Sequence, residues 1–377
     1  MGRYVRIGGR SQLMKRKGWL VHPTTPARME MRSPLNAVTK DISSKERFQI
    51  LALSGGGFRG LYAATILAEL EQATGGPLAR SFDLIVGTSV GGILALGLAL
   101  EIPAAKLAEL FSVHGEAIFS RQRSWLGYWR SKYSSAQLRE LLARPDLFGT
   151  NLLGDCRHRL VIPTINYSTG RPVTLKTPHH PDFRKDHLLS AVDVALATSA
   201  APMFFARHRM NHNQYIDGGL CANAPGLLGV HEAETFLDRS AEAVHLLAVG
   251  TMSQAFTVNP AKNCDGGLRD WGNWSPTGAM HRLFGITISA QESLTQYMLQ
   301  HRLRGRFTLL DDVLTPDRAQ AVALDRTDAA AREVLIGTGL ERAKHALGSA
   351  TVNEFLQHQA AAARLFHGNR ANAAIER

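Results

Sequence analysis

Between residues 47 and 100 the sequence repeats one pattern twice: an apolar run, a turn rich in small residues, and a longer stretch with helical character. "RFQILAL" and the apolar part of "FDLIVGTS" are short, mainly apolar runs that end at small residues and read as buried strands. "LYAATILAELEQAT" carries Leu61, Ile66, Leu67 and Leu70 on a helical period and stops at Gly75-Gly76, a C-terminal helix signal. "VGGILALGLAL" is apolar nearly all round and predicts a buried helix. Strand, turn and helix, repeated, demand a mainly parallel sheet with helices packed on it.

The pattern continues downstream with less regularity. Residues 103–119 predict an amphipathic helix, and "RLVIPTINYSTGRPVTLK" two strands around a Ser-Thr-Gly turn. "DHLLSAVDVALATSA" reads as a helix, "QYIDGG" as a strand broken at Gly218-Gly219, and "AVHLLAVGT" as one more buried strand. Helices are expected near 279–302, 328–347 and 351–366. The domain plan is a basic extension over 1–46 with no sustained period, a catalytic core over 47–256 and a mainly helical part over 257–377 packed on that core.

The two turns carry the chemistry. Gly87-x-Ser89-x-Gly91 lies between a strand and a helix, the context in which this spacing forms a nucleophile elbow. The turn is tight enough that side chains at 87 and 91 would clash, and the helix N-terminus behind Ser89 favours negative charge there. The earlier turn, "SGGGFRG", fits a dinucleotide fingerprint through Gly55, Gly57 and Gly60. That reading wants an acidic residue at the end of the next strand, whereas Asp83 begins it, and it leaves Ser89 without a purpose. Acyl transfer accounts for both turns. A serine attacking a carbonyl creates an oxyanion that needs fixed backbone N–H donors, and Gly55, Gly56, Gly57 and Phe58 bring bare amides to the same sheet end. Arg59 then braces the loop or meets an anionic headgroup.

A serine also needs a base. Among fifteen histidines, His208 and His212 are the nearest candidates for a triad, and neither sits in a telling context. Asp217 ends a strand before Gly218-Gly219, where a carboxylate in a dry site could take the proton directly; an Asp-Gly turn of no chemical consequence is the alternative.

Charge and cysteine content narrow the setting. The net charge of +11 is concentrated at the N-terminus, where residues 1–46 hold ten Lys/Arg against three Asp/Glu. That segment would attract anionic lipid or nucleic acid, or is simply a disordered extension; it has no apolar stretch of a secretory signal. Cys156, Cys221 and Cys264 are odd in number and lack CxxC spacing, which argues against a disulfide framework or zinc site and for a reducing cytosol. No apolar run reaches membrane-spanning length. Trp125, Trp129 and Tyr133, set among Arg and Lys, are expected to form an interfacial lid or else a small core beneath their loop.

Four segments in order, "SGGGFRG", "GTSVGG", "ATSAAPMFF" and "DGGLCANAP", resemble the patatin-like phospholipases over about residues 48–250. The resemblance implies a three-layer α/β/α fold with a mostly parallel central sheet and additional C-terminal helices. It implies a Ser–Asp dyad of Ser89 and Asp217, with Gly56 and Gly57 amides as oxyanion donors. No metal or other cofactor is required for such catalysis. Many members open the glycine loop with Asp where this chain has Ser54. "FQILALSGGGFRGLYAATILAELE" and "ALDRTDAAAREVLIGTGLERA" resemble, more narrowly, bacterial effectors of anti-phage cyclic-oligonucleotide signalling (CBASS, CapV type). That resemblance implies a phospholipase switched on by a cyclic dinucleotide and turned on the cell's own membrane from its cytoplasmic face. "RSWLGYWRSKY" and "HRLRGRF" are the basic, aromatic pieces that would hold phosphates and bases, or meet lipid headgroups, or else are solvated faces.

The expected partners are membrane phospholipid and a cyclic dinucleotide, with no nucleic-acid polymer and a homo-oligomer left open. The rival readings are an ungated lipid acyl hydrolase, a Ser-His-Asp esterase on soluble esters, a nucleotide-binding module using Gly55–Gly60, and a basic membrane adaptor.

Overall fold

Strand β1 (Phe48–Leu53) sends alternate side chains into two separate cores. Leu51 and Leu53 join one, and Phe48, Ile50 and Ala52 the other, as the two-residue period of a strand requires. A strand covered on both faces is the centre of a three-layer α/β/α arrangement, and the computed structural model has that architecture. It describes residues 46–122, 130–252, 271, 276–314 and 322–371.

On one face lie α1 (Gly60–Thr74), α2 (Val90–Ala99), α3 (Ala104–Ile118) and α5 (Ala191–Thr198), after the short α4 (Ala136–Leu142). On the other lies α7 (Gly226–Phe236), preceded by the single turn α6 (Gly219–Ala222) and joined by the end of α8 (Pro276–Leu303) through Leu299 and Leu303. Helices α9 (Ala329–Leu347) and α10 (Ala350–Gln357) complete the first face by packing Ala331, Leu335, Val352 and Phe355 into its core. α2 is buried along its whole length, which is why its sequence shows no polar face.

The other strands are β2 (Leu84–Gly87), β3 (Leu160–Asn166), β4 (Arg171–Lys176), β5 (His208–Met210), β6 (Asn213–Asp217), β7 (Val244–Val249) and β8 (Phe307–Leu310). The pairing path is β5-β6-β3-β2-β1-β7-β8, with β4 also on β3. β1 pairs in parallel with β2 and β7, β2 with β3, and β7 with β8; β4 and β6 run antiparallel to β3, so the sheet is mostly parallel.

The register on β3 positions the site. Val161 pairs with Val86 of β2 and also with Lys176 of β4, so β2 and β4 lie on opposite edges of β3. Thr164 pairs with Val173 of β4 and with Asp217 of β6, so β6 lies on the edge that β2 has just left. Along that edge β2 runs with β3 and β6 runs against it. Their C-terminal ends, Gly87 and Asp217, therefore point toward each other across a gap of a few residues.

Two expectations for the C-terminal part need correction. "HRLRGRF" keeps His301, Arg302 and Arg304 exposed, but its last residue, Phe307, starts β8, which extends the sheet beyond β7. The sheet thus crosses the expected boundary at 256/257. The helix expected over 351–366 ends at Gln357, although "QAAAAR" favours a helix. Residues beyond it spend their backbone bonds on the body of the fold, Ala360 N–H on Arg80 O and Phe366 N–H on Pro178 O, while Leu365 is buried. Tertiary bonds outweigh local propensity there. The basic segment up to residue 45, Trp125, Trp129 and Cys264 lie outside the described residues.

Candidate active site

β2 ends at Gly87 and α2 begins at Val90, so the chain reverses through Thr88 and Ser89. Ser89 takes a left-handed φ of 55°, a conformation that costs a non-glycine residue on the order of 1–3 kcal/mol and persists only where its surroundings fix it. The surroundings are specific. Ser89 N–H donates to Thr198 Oγ1 at 3.0 Å, and the Thr198 hydroxyl in turn donates to Pro163 O at 2.7 Å. Thr88 Oγ1 donates to Ala222 O at 2.6 Å. A Cβ at Gly91 would overlap the carbonyls of Leu53 and Ser54, and one at Gly87 the carbonyl of Gly91, so the expected steric reason for both glycines holds.

The strained turn aims Ser89 Oγ across the gap between β2 and β6. It donates to Asp217 Oδ2 at 2.7 Å. The other carboxylate oxygen accepts Gly219 N–H at 2.7 Å. Both side chains are buried. Burial pushes the Asp217 carboxyl up to about 6, against the opposing pull of the Ser89 hydroxyl and the Gly219 amide. The expected pair therefore meets directly. His208 lies instead 3.2 Å from Asp193, and His212 sits in a turn with left-handed φ; among the described residues no histidine bonds to Ser89.

The glycine loop is narrower in function than its sequence suggests. Gly55 N–H donates to Asn223 O, and Phe58 N–H to Leu324 O, so these two amides are already used. Gly56 and Gly57 remain: among the described residues neither N–H has an acceptor, and both residues line the cavity that holds Ser89 and Asp217. The Gly55 carbonyl accepts from Thr251 Oγ1 at 2.7 Å and from Asn223 Nδ2 at 3.2 Å. Because a trans peptide sets C=O and N–H on opposite sides, pinning that oxygen directs Gly56 N–H away from Thr251 and Asn223. Gly57 has φ +57°, which favours glycine, and Leu324 O lies where its Cβ would be.

Arg59 braces the loop. It is buried, and its Nη1 donates to Met252 O at 2.8 Å. Burial lowers its pKa, while the charges of Glu292 and Asp311 act the other way. Gly60 begins α1 in contact with Val90, and Gly218 lies against the Pro163 carbonyl. Tyr133 belongs to the small-core alternative and not to a lid. It is 3% exposed, packs edge-on against Phe119, and donates its hydroxyl to Asp325 at 2.7 Å.

Sequence reasoning missed Thr198, Asn223 and Thr251. The first two sit inside quoted segments, "ATSAAPMFF" and "DGGLCANAP", but their partners are backbone atoms that only the folded sheet brings near. The cavity is about 110 Å³, with walls that include Ile93, Phe111, Phe119 and Phe205, and with Phe284, Ile288 and Glu292 from α8. An alcohol bonded to a buried carboxylate, beside free amides and under apolar walls, is equipped to attack a carbonyl attached to an apolar chain.

The family described as patatin-like phospholipase matches residues 51–227. The "cGAMP-activated phospholipase" of Pseudomonas aeruginosa is 46% identical over 331 residues, 86% of this chain and 96% of that protein. A protein of the same name from Vibrio cholerae is 34% identical, over 79% of this chain and 91% of its own. The "cUMP-AMP-activated phospholipase" of Escherichia coli is 28% identical, over 54% and 57%.

Proposed function

Because this chain belongs to the patatin-like phospholipases and is a hydrolase of lipid esters, we propose that Ser89 and Asp217 form its catalytic dyad and that membrane phospholipid is its substrate. The observation that carries the reading is the 2.7 Å bond from Ser89 Oγ to Asp217 Oδ2. Ser89 Oγ attacks the ester carbonyl carbon and its proton passes to Asp217. The carbonyl oxygen takes the negative charge and rests on the Gly56 and Gly57 amides. Collapse breaks the ester bond, and the leaving lysophospholipid oxygen takes the proton from Asp217. Water, deprotonated by the same carboxylate, then attacks the acyl-serine; the acyl–Oγ bond breaks, Ser89 Oγ takes the proton back from Asp217, and the fatty acid leaves. A carboxyl at about 6 is ionised at neutral pH yet basic enough to share a proton with an alcohol.

A cyclic dinucleotide switches the enzyme on, and its target is the cell's own membrane, met from the inner face in defence against phage. The first part draws support from the names of relatives that align along most of their length. It also draws support from the cavity, whose 110 Å³ is well below the roughly 300–1,000 Å³ of ordinary ligand pockets. A site of that size would have to widen to take in a whole phospholipid.

The test is fatty-acid release from phosphatidylglycerol–phosphatidylethanolamine vesicles, with and without a panel of cyclic dinucleotides. Wild type should respond to one of them, and Ser89→Ala and Asp217→Ala to none. Equal rates across the panel would remove the switch and keep the hydrolase; full activity in Asp217→Ala would remove the dyad.

A further inference from the structure

Helix α8 has two faces, and the reading above uses only one. Phe284, Ile288 and Glu292 roof the cavity. Gln291 accepts Ala224 N–H at 3.1 Å, and Glu292 accepts Asn223 Nδ2 at 2.6 Å. Thr295, Leu299 and Leu303 continue this buried side. The opposite side carries Leu283, Leu294, Tyr297 and Met298, which are 46%, 59%, 60% and 45% exposed. Their spacing places them on one stripe of the helix, with Thr287 and Ala290 between. Between Arg282 and His301 the only charged residue is Glu292, and it faces inward. An exposed helix face some four turns long without a charge is not ordinary solvated surface.

We infer that this outer face of α8 docks on a lipid surface and so brings the cavity mouth to the membrane. The inference rests on the phospholipase reading for its purpose but not for its observations. Cations mark both ends of the stripe: Arg282 at one, and Arg302 and Arg304 at the other. Arg302 pairs with Glu234, and Arg304 has no carboxylate partner among the described residues. An apolar face ending in tyrosine and arginine is the pattern of a helix lying in the headgroup region of an anionic bilayer. Pairing with a second copy fits less well. With both ends basic, self-association in either direction sets cation against cation. No helix among the described residues is long and apolar enough to cross a membrane, so contact from the side is the mode left to α8.

The experiment uses the full chain carrying Ser89→Ala, so that vesicles are not consumed, with cGAMP present throughout. Co-flotation with phosphatidylglycerol–phosphatidylethanolamine vesicles is compared for this parent, for Leu294→Asp with Tyr297→Asp, and for Leu294→Phe with Tyr297→Trp. The aspartate pair should lower the bound fraction at least tenfold, and the aromatic pair should keep it. With Ser89 restored, the aspartate pair should hydrolyse a short-chain soluble ester within twofold of wild type and vesicles at least tenfold more slowly. Leu294→Gln with Tyr297→Gln carries the same comparison should the aspartates lower the melting temperature. Unchanged flotation of the substituted chains overturns the proposal. So does light scattering that shows an oligomeric parent and a monomeric aspartate variant, since a second copy would then cover the face. If the Ser89 chain hydrolyses no ester, the catalytic reading fails while the flotation result stands on its own.

Discussion

Two buried carboxylates near the sheet have been given opposite tasks by their neighbours. Among the described residues Asp217 receives hydrogen bonds only from a hydroxyl and an amide, and burial pushes it up to about 6. Glu232 on α7 is as deeply buried, and burial pushes it up too. Hydrogen bonds from His179, at 2.9 Å, and Lys176, at 2.5 Å, outweigh that push and hold it below the ordinary carboxylate range. Lys176 is further held over the rings of Phe183 and Phe236. The difference is the presence of a cation. A buried carboxylate without one stays reactive toward protons, and a buried carboxylate with one becomes a fastening.

The same chemical change at the two positions should therefore give opposite results. Asp217→Asn removes the base and should lower vesicle hydrolysis by roughly 10³-fold or more, read as initial rate. Hydrolysis within tenfold of wild type would erase the contrast. Glu232→Gln strands Lys176 and should cost about 3–5 kcal/mol in chemical denaturation, while activity per folded molecule is kept. Asp217→Asn should stabilise the fold at neutral pH. The folded carboxyl sits about two pKa units above its unfolded value, so ionising it costs the native state roughly 3 kcal/mol. That cost is absent below about pH 4, grows between 4 and 6, and is full above 6. The variant's advantage should follow the same course in thermal melts, and an advantage independent of pH would reject the assignment. Activity should run the same way along this axis, and opposite to the stability of the wild type, falling about tenfold from pH 8 to pH 5 as Asp217 is protonated. The smallest effect belongs to the support of the glycine loop. Thr251→Val removes the shorter of the two hydrogen bonds to the Gly55 carbonyl, leaving that from Asn223, and should lower kcat by about tenfold at unchanged KM.

The sequence displayed this contrast unevenly. Ser89 was legible because a strand, a glycine turn and an apolar helix surround it within a dozen residues. Asp217 was legible from the end of its own strand and was paired with Ser89 by resemblance, but the strand pairing of β6 with β3 that joins them is a long-range fact with no local signal. Lys176, His179 and Glu232 gave no local signal, since their meeting depends on α7 packing beside the start of the sheet. The glycine loop lines the cavity as the sequence suggests, but not all four of its amides are free. Which amides stay free is decided by Asn223 O and Leu324 O, carbonyls more than a hundred residues away. β1, β2 and the helices behind them were readable because burial on both faces leaves only apolar residues. β5, three residues long, and β8, hidden behind arginines, were not.

The end-to-end meeting of β2 and β6 along one edge of β3 makes that strand a ruler. Neither member of the proposed dyad is positioned by the other's segment; each is measured off against β3, one near Val161 and the other at Thr164. A slip of one residue in either pairing would move a strand end by about 3.3 Å and turn its side chains to the opposite face. The long excursions between these strands carry supports such as Thr198, but the spacing of the two strand ends is set by the four residues of β3 from Val161 to Thr164.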